Sequence, residues 1–186
     1  KSELVCKISD AFLTSCIEAF RPFIPEAKGD AHKNVQVIST LASLPIDSGL
    51  TAEDYRVVFI FEDAAPESTE AVYLKLYALS TGKAALRSLN LNGAFGKLHN
   101  CAWVGNQPIE LDWLRANEIV LKLSGKYPNI DMVDKFPRFL QHIIPADNTR
   151  ILETSKVRMG AQLAAGTTVM PGAAYVNFNA GTLGAV

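Results

Sequence analysis

The stretch of residues 151–175 reads ILETSKVRMGAQLAAGTTVMPGAAY and repeats with a period of six. Each repeat opens with an aliphatic residue, a small residue follows four positions later, and the aromatic Tyr175 opens the last repeat. The aliphatic positions are Ile151, Val157, Leu163 and Val169, and the small positions are Ser155, Ala161, Thr167 and Ala173. Side chains of a strand repeat every two residues and those of a helix every 3.6 or so, and neither produces a period of six. Such a period is typical of a parallel β-helix, in which aliphatic side chains point inward and small residues occupy the corners.

Four glycines fall where such a coil must bend: Gly160, Gly166, Gly172 and Gly181. Glycine accepts the backbone angles of a sharp corner without steric cost. An apolar strand pair with loops is the alternative, but it does not explain the shared register of aliphatic and small residues. The pattern therefore predicts the first coils of a β-helix over residues 146–186, after an α/β region over residues 1–145. Hexapeptide β-helices in soluble proteins are mostly acyltransferases, although a fold alone does not establish a function.

The composition is that of an ordinary globular protein, with 186 residues, a net charge of −1 and 48% hydrophobic residues. The sequence has no basic stripe with interleaved aromatic residues, which argues against a nucleic-acid partner. It also has no apolar run of the roughly 18 residues that a transmembrane helix needs. Cys6, Cys16 and Cys101 are odd in number and lack metal-ligand spacing, which favours a reduced, cytoplasmic setting.

Periodicity and turn residues predict the elements of the α/β region. We expect helices at 3–20, 68–82 and 108–123, strands at 34–39, 56–61 and 101–104, a loop at 45–50 and a turn at 90–93. The second strand is a continuous apolar run of the kind found at the centre of a sheet. Residues 134–138 are predicted to form an exposed, charged hinge between the two regions.

The chain begins without Met and stops within a repeat, at Val186. Residues 151–186 account for only about two coils, whereas repeat arrays need about three or more units and a cap. The sequence therefore predicts a piece of a longer protein. The alternative is a naturally short protein whose last coil is capped by oligomer contacts.

Seven motifs carry a resemblance to a known family: DAAP at 63–66, YLKL at 73–76, NLNGAF at 90–95, VDKFPR at 133–138, VRMG at 157–160, AGTTVM at 165–170 and YVNFNAGTLG at 175–184. In these motifs the chain resembles the long-form tetrahydrodipicolinate N-succinyltransferases, most specifically in the last one. The resemblance implies a cytoplasmic homotrimer of lysine and diaminopimelate biosynthesis, with left-handed coils. It also implies succinyl-CoA as co-substrate, tetrahydrodipicolinate as acceptor and no permanently bound cofactor.

The family's key carboxylate lies in a Val-Glu-Gly-Arg stretch just after the last motif, so the resemblance places the catalytic residue downstream of Val186. Glu153 is the only carboxylate from residue 148 onward. Some members carry metal-linked acidic residues near the positions of Ser155 and Ala173; both are uncharged here, so no metal site is predicted. The coils also contain no histidine, which argues against a zinc enzyme of the carbonic anhydrase type.

The candidate substrate-binding residues are Arg158, Asn177, Asn179 and Thr182. Arg158 flanks an inward valine and is expected to point outward, where a cation attracts carboxylates or phosphates. The two asparagines lie on one side of the backbone and offer amide donors. Each has a structural alternative: a solvated arginine, asparagines bonded between coils, and a threonine at a corner. For Lys135 and Arg138, substrate binding is the alternative to the hinge.

Two other functions stay open at this stage. One is a different hexapeptide acyltransferase acting on a sugar amine, which a coil histidine would favour. The other is a non-catalytic folding and trimerisation module, motivated by the missing carboxylate and coils.

Overall fold

The computed structural model describes residues 1–44 and 49–185 and divides into two compact units. The first unit comprises Lys1 and Glu3–Ile60, and the second comprises Ser2 and the chain from Phe61 onward. Residue 145 therefore lies within the second unit, and the predicted division there stays a prediction. Of the predicted loop at 45–50, residues 45–48 lie outside the described part of the chain.

The first unit combines a two-stranded antiparallel sheet with helices. Its elements among the described residues are, in chain order, β1 (Glu3–Lys7), α1 (Asp10–Phe20), a 3-10 helix (Arg21–Glu26), α2 (Lys33–Ala42), a 3-10 helix (Ala52–Asp54) and β2 (Arg56–Ile60). The predicted strand at 56–61 is confirmed, but its central place in a sheet is wrong within the described residues, where β2 pairs with β1 alone.

Two predictions in this unit need correction, one in part and one in element type. The predicted helix at 3–20 starts only at Asp10, because Ser9 caps it through Phe12 N (3.2 Å) and the preceding residues pair with β2. The predicted strand at 34–39 is α2, whose buried residues are Val35, Ile38 and Leu41. Their spacing of three lies on one helical face, so the short alternating pattern was ambiguous.

The second unit continues with α3 (Thr69–Ser80), α4 (Ala94–Lys97), β3 (Cys101–Val104), β4 (Gln107–Glu110), α5 (Leu111–Leu123), β5 (Met132–Asp134) and α6 (Phe139–His142). The predicted α3 is confirmed: the Ser68 hydroxyl accepts a hydrogen bond from Ala71 N (3.1 Å), and Gly82 follows the helix with a φ of 70°. The predicted strand at 101–104 is confirmed as the middle of the antiparallel sheet β4-β3-β5.

The predicted helix at 108–123 starts three residues later, because residues 107–110 pair with β3 as strand β4. Leu114 of this helix is buried, whereas Val120 is 66% exposed. This long-range strand pairing sets where α5 begins and which of its faces is covered.

The chain ends with β6 (Arg150–Ile151), a 3-10 helix (Thr154–Lys156) and β7 (Thr168–Val169). Arg150 pairs in parallel with Thr168, and Ile151 with Val169. Two further parallel bridges join residues 157 to 176 and 162 to 181. Residues 18 or 19 positions apart, about three repeats of six, thus pair in parallel within the described chain, and the coils of a left-handed β-helix stay a prediction.

The aliphatic positions of the repeat face one apolar cluster, as predicted. Its members are Phe139, Ile143, Val157, Ala161 and Val169, with Ile151, Leu163, Ala173 and Val176 packed against them. Tyr175 is the exception: it is 45% exposed, and its neighbour Val176 packs inward instead. Residues 150 and 151 pair with residues 18 positions later, whereas residues 157 and 162 pair with residues 19 positions later. This extra residue shifts the register by one, so position 175 faces outward.

No helix in the described ranges is long and apolar enough to cross a membrane.

Candidate functional site

A buried carboxylate, that of Asp134 at the end of β5, joins the sheet to the repeat region. Arg158 donates to it through two atoms, Nε to Oδ2 (2.9 Å) and Nη2 to Oδ1 (2.8 Å), and Arg138 donates Nη1 to Oδ2 (2.7 Å). The Asp134 carbonyl accepts a hydrogen bond from the indole Nε1 of buried Trp103 (2.9 Å). Two guanidinium groups therefore share one carboxylate where little water reaches them.

Aromatic rings enclose the two guanidinium groups. Phe136 and Phe178 stack with centroids 4.4 Å apart and planes 9° from parallel. The Arg158 guanidinium lies 4.9 Å from the Phe136 centroid and 5.4 Å from that of Tyr175, and the Arg138 guanidinium lies 5.9 Å from Tyr175. Such cation–π contacts strengthen as water is removed. Tyr175 covers the solvent side of the cluster.

The charges at this site hold Asp134 ionised. Burial acts to raise the pKa of this carboxyl, but hydrogen bonds from Arg158 and Arg138 outweigh it, so the pKa lies below its ordinary value. Burial raises the pKa of the Tyr175 phenol, while the two guanidinium groups oppose that rise. The site thus carries two positive charges against one negative charge near neutral pH.

The predicted exposed hinge at 134–138 is wrong, because Asp134, Phe136, Pro137 and Arg138 are buried. The charged residues of this stretch do not indicate the partners, distant in sequence, that make its burial possible. Lys135 is also engaged by the protein: its Nζ donates to the carbonyls of Leu98 (2.9 Å) and Phe95 (3.1 Å).

The structure brings two of the four candidate binding residues together and holds the others elsewhere in the repeat region. Arg158 Nη1 donates to Asn177 Oδ1 (3.0 Å). Asn179 Oδ1 instead accepts from the backbone nitrogen of Arg87 (2.8 Å), and both of these residues have positive φ. Thr182 Oγ1 lies 2.6 Å from Thr167 Oγ1 and accepts from Ala164 N (3.0 Å).

The expected outward position of Arg158 is also revised, since only 18% of its side chain is exposed. Arg158 is therefore not the solvated side chain foreseen as its structural alternative, and Asn179 bonds to Arg87 rather than between coils, whereas Asn177 does bond to another residue of the repeat region. These contacts do not test substrate binding, which stays a prediction for all four.

Glu153, which carries the only side-chain carboxylate from residue 148 onward, is occupied by a neighbour. Its Oε1 accepts hydrogen bonds from the Ser155 hydroxyl (2.6 Å) and backbone nitrogen (3.2 Å), and these bonds lower the pKa of the carboxyl. A carboxylate with a lowered pKa is a weaker general base. Within the described ranges, no three His, Cys, Asp or Glu side chains are grouped to hold a metal ion.

A second buried charge, Lys75 on α3, escaped the sequence analysis. Its Nζ donates to Asp63 Oδ1 (2.7 Å) and to the carbonyls of Ala64 (2.6 Å) and Asn90 (2.8 Å). Asp63 in turn accepts from Asn90 N (2.9 and 3.1 Å), and these contacts lower its pKa. The sequence feature that indicates this burial is the position of the lysine, three residues after Val72 on the apolar face of a predicted helix.

Replacing Lys75 with alanine should destabilise the second unit by about 2 kcal/mol. Two carbonyls would lose their donor, but the Asp63 side chain is 44% exposed and can turn to water, which limits the cost. Thermal unfolding would measure the loss. Lys122→Ala is the matched control, since its pair with Glu118 is exposed, and it should leave the melting temperature unchanged. Equal melting of both variants would contradict the prediction.

Comparison with known proteins assigns this chain to a family. A family model described as "Tetrahydrodipicolinate N-succinyltransferase N-terminal" matches residues 1–96, and one described as the middle region of the same enzymes matches residues 98–138. The chain belongs to the tetrahydrodipicolinate N-succinyltransferase family. The resemblance inferred from the seven motifs is confirmed.

Relatives of the tetrahydrodipicolinate N-succinyltransferase family match the whole chain but only part of their own length. A protein of Nitratiruptor sp. named 2,3,4,5-tetrahydropyridine-2,6-dicarboxylate N-succinyltransferase is 68% identical over 100% of this chain and 47% of the relative. A protein of the same name from Helicobacter pylori is 49% identical over 98% of this chain and 48% of the relative. The chain therefore spans about half the length of these curated relatives.

A solved structure agrees with this family assignment. The Campylobacter jejuni protein described as a 2,3,4,5-tetrahydropyridine-2-carboxylate N-succinyltransferase matches with a TM-score of 0.87 and 56% identity, over 100% of this chain and 46% of that one. The α/β architecture of the chain is thus that of a family member.

Several motifs that carried the resemblance meet in the two buried clusters. Asp63, Lys75 and Asn90 come from three motifs and form one network. Asp134, Arg158 and Phe178 come from three more and form the other. In this chain, these motif residues contribute to the framework.

Proposed function

We propose that the protein from which this sequence comes transfers a succinyl group from succinyl-CoA to the amino group of tetrahydrodipicolinate, in lysine and diaminopimelate biosynthesis. The observation that carries this proposal is 68% identity over the whole chain to a relative named for this activity. The cyclic imine of tetrahydrodipicolinate takes up one water and opens to a ketone and a free amine. The bond then broken is the thioester of succinyl-CoA, and the bond formed is the amide between the succinyl group and that amine. CoA leaves as the thiol, and the amine loses a proton.

This reaction needs a base for the amine proton, donors for the thioester oxyanion and positioning of two carboxylate-bearing molecules. We propose that the base is a carboxylate in the part of the relatives that this chain does not span. The described residues support this division, because Glu153 is bonded to Ser155 and has a lowered pKa.

Arg158, Asn177, Asn179 and Thr182 remain our candidates for substrate contact. The oxygens of the two asparagines are occupied, but no hydrogen bond from their Nδ2 groups is present among the described residues. These amide groups are suitable donors to a carboxylate of the acceptor. Arg158 and Thr182 would contribute through their remaining donors and by fixing the local backbone.

We further propose that the enzyme is a cytoplasmic homotrimer whose repeat region continues as a left-handed β-helix, with active sites between neighbouring subunits. The parallel pairing of β6 with β7 and the inward aliphatic cluster support the β-helix. The resemblance supports the trimer and the location. Succinyl-CoA would act as co-substrate, with no permanently bound cofactor.

A succinyl-CoA assay with detection of the free thiol tests the proposed function. Tetrahydrodipicolinate or a 2-aminopimelate analogue serves as acceptor, for this chain and for a version extended with the remaining half of the Nitratiruptor relative. We expect thiol release only from the extended version. Release by the short chain would move the base to Glu153, and silence of both would overturn the succinyltransferase assignment. Stable trimers without turnover would favour the folding and trimerisation module.

A further inference from the structure

The Nε atom of the Arg138 guanidinium has no hydrogen-bond partner, although the side chain is buried. Arg138 is 8% exposed, and its Nη1 is used by Asp134. Its Nε is buried without a hydrogen-bond partner, and the guanidinium also donates to the phenol oxygen of Tyr175. A buried donor without an acceptor is destabilising, so this atom calls for an explanation.

The Nε–Nη2 edge of this guanidinium has the geometry for one kind of ligand. Nε–H and Nη2–H of arginine point the same way and form a fork that matches the two oxygens of a carboxylate. Arg158 uses this same pair of atoms to bind Asp134 in the same cluster. Arg138 therefore presents the arrangement that Arg158 fills, with its Nε unpartnered and the Tyr175 phenol as the group that a carboxylate would displace.

The charge count also favours an anion. Arg138 and Arg158 share the Asp134 carboxylate, which leaves one positive charge in excess. Lys135, which follows Asp134 in sequence, is itself a cation that donates to main-chain carbonyls, so it does not balance this excess. A second carboxylate would balance the two guanidinium groups, and a paired buried charge is far less costly than an unpaired one.

We infer that the Nε–Nη2 edge of Arg138 is a binding site for a ligand carboxylate, with the Tyr175 side chain as its movable cover. Tyr175 lies over both guanidinium groups and is 45% exposed, so its ring can rotate into solvent and open a path. Identifying the ligand as a substrate rests on the proposed function. Either the terminal carboxylate of the succinyl group or a carboxylate of the acceptor would supply the same chemistry.

The test uses this chain with succinate and with pimelate as separate probes, followed through the side-chain Nε–H resonances of arginine in NMR. We expect saturable binding that shifts the Arg138 Nε–H signal downfield, with smaller changes at Arg158. Tighter binding of succinate would identify the acyl donor as the source, and tighter binding of pimelate the acceptor. No saturable shift with either probe would overturn the inference.

Arg138→Lys keeps the charge beside Asp134 but loses the fork, so we expect affinity to fall at least tenfold. Arg115→Lys is the matched control, because that arginine pairs with Asp112 on the exposed face of α5 and should leave affinity unchanged. Equal affinity of Arg138→Lys and the unchanged chain would overturn the inference. If Arg138→Lys fails to fold, the resonance shift in the unchanged chain decides. Binding without turnover by the extended version would contradict the proposed function alone, and turnover without binding at Arg138 would contradict this inference alone.

Discussion

Replacing Asp134 with alanine is expected to cost about 3–5 kcal/mol of folding stability, the largest loss from any single charge in the described chain. The substitution removes the only carboxylate that joins Arg138 to Arg158, and both guanidinium groups would stay buried without it. Breaking a buried pair costs more than the pair itself contributes, because the remaining charge is left without compensation. Chemical denaturation followed by Trp103 fluorescence would measure the loss, since this indole is hydrogen-bonded to the Asp134 carbonyl.

Asp112→Ala is the matched control for this experiment. Asp112 also pairs with an arginine, but the two side chains are 93% and 70% exposed, so water replaces the lost contact. We expect the denaturation midpoint of this control to match that of the unchanged chain. Equal midpoints for the Asp134 and Asp112 variants would show that the buried cluster does not hold the second unit together.

The same carboxyl gives the chain a defined sensitivity to acid. Because the pKa of Asp134 is lowered by folding, its contribution to stability is fully present above the ordinary value of 3.8. That contribution is lost as pH falls through the lower pKa of the folded state. At pH values below about 4, we expect the urea midpoint of the unchanged chain to decrease as pH falls, and that of Asp134→Asn to decrease less steeply. Urea denaturation at several pH values would measure both. Parallel curves would contradict this assignment.

Replacing Gly160 with valine is expected to cost about 2–5 kcal/mol and to separate α3 from the repeat region. Gly160 has a φ of 95°, which side-chain-bearing residues rarely adopt. A Cβ atom there would lie 2.5 Å from Leu76 Cδ2 and 2.9 Å from Phe178 Cβ, inside the apolar cluster that joins α3 to this segment. Both the backbone penalty and the overpacking act in the same direction.

Gly172→Val is the control for that substitution. The sequence pattern gave the two glycines the same role as corner residues, but Gly172 has no positive φ, and a Cβ there would meet nothing within 4 Å. Thermal melting should distinguish them, with a large loss at position 160 and almost none at 172. If both variants melt alike, the corner at Gly160 does not require glycine.

The glycines at the four predicted corners show which structural features a sequence period can predict. Gly160 and Gly166 have positive φ and are crowded, as the period of six predicted. Gly181 is also required, but for a different reason: a Cβ there would run into the main-chain oxygen of Gln162 in the paired strand. That contact lies between residues far apart in sequence, which periodicity does not describe.

The candidate functional site shows the same limit of local sequence patterns. The sequence indicated Arg158 and Asn177 as polar groups of the repeat region, and they do meet. Asp134 was placed in an exposed hinge, because its surroundings in sequence are charged. Its burial depends on Arg158, which follows 24 residues later, and no local pattern links the two.

By itself, the sequence determined what local spacing encodes: the repeated inward aliphatic positions, the capped helix α3 and the family, whose motifs are short and contiguous. The tertiary structure alone decided that residues 3–7 form a strand, that β4 delays the start of α5, and that Asp134 is buried between two arginines. The physical reason is common to all three. A backbone segment or a charge can be satisfied by any of several partners, and only the folded chain selects one that is distant in sequence.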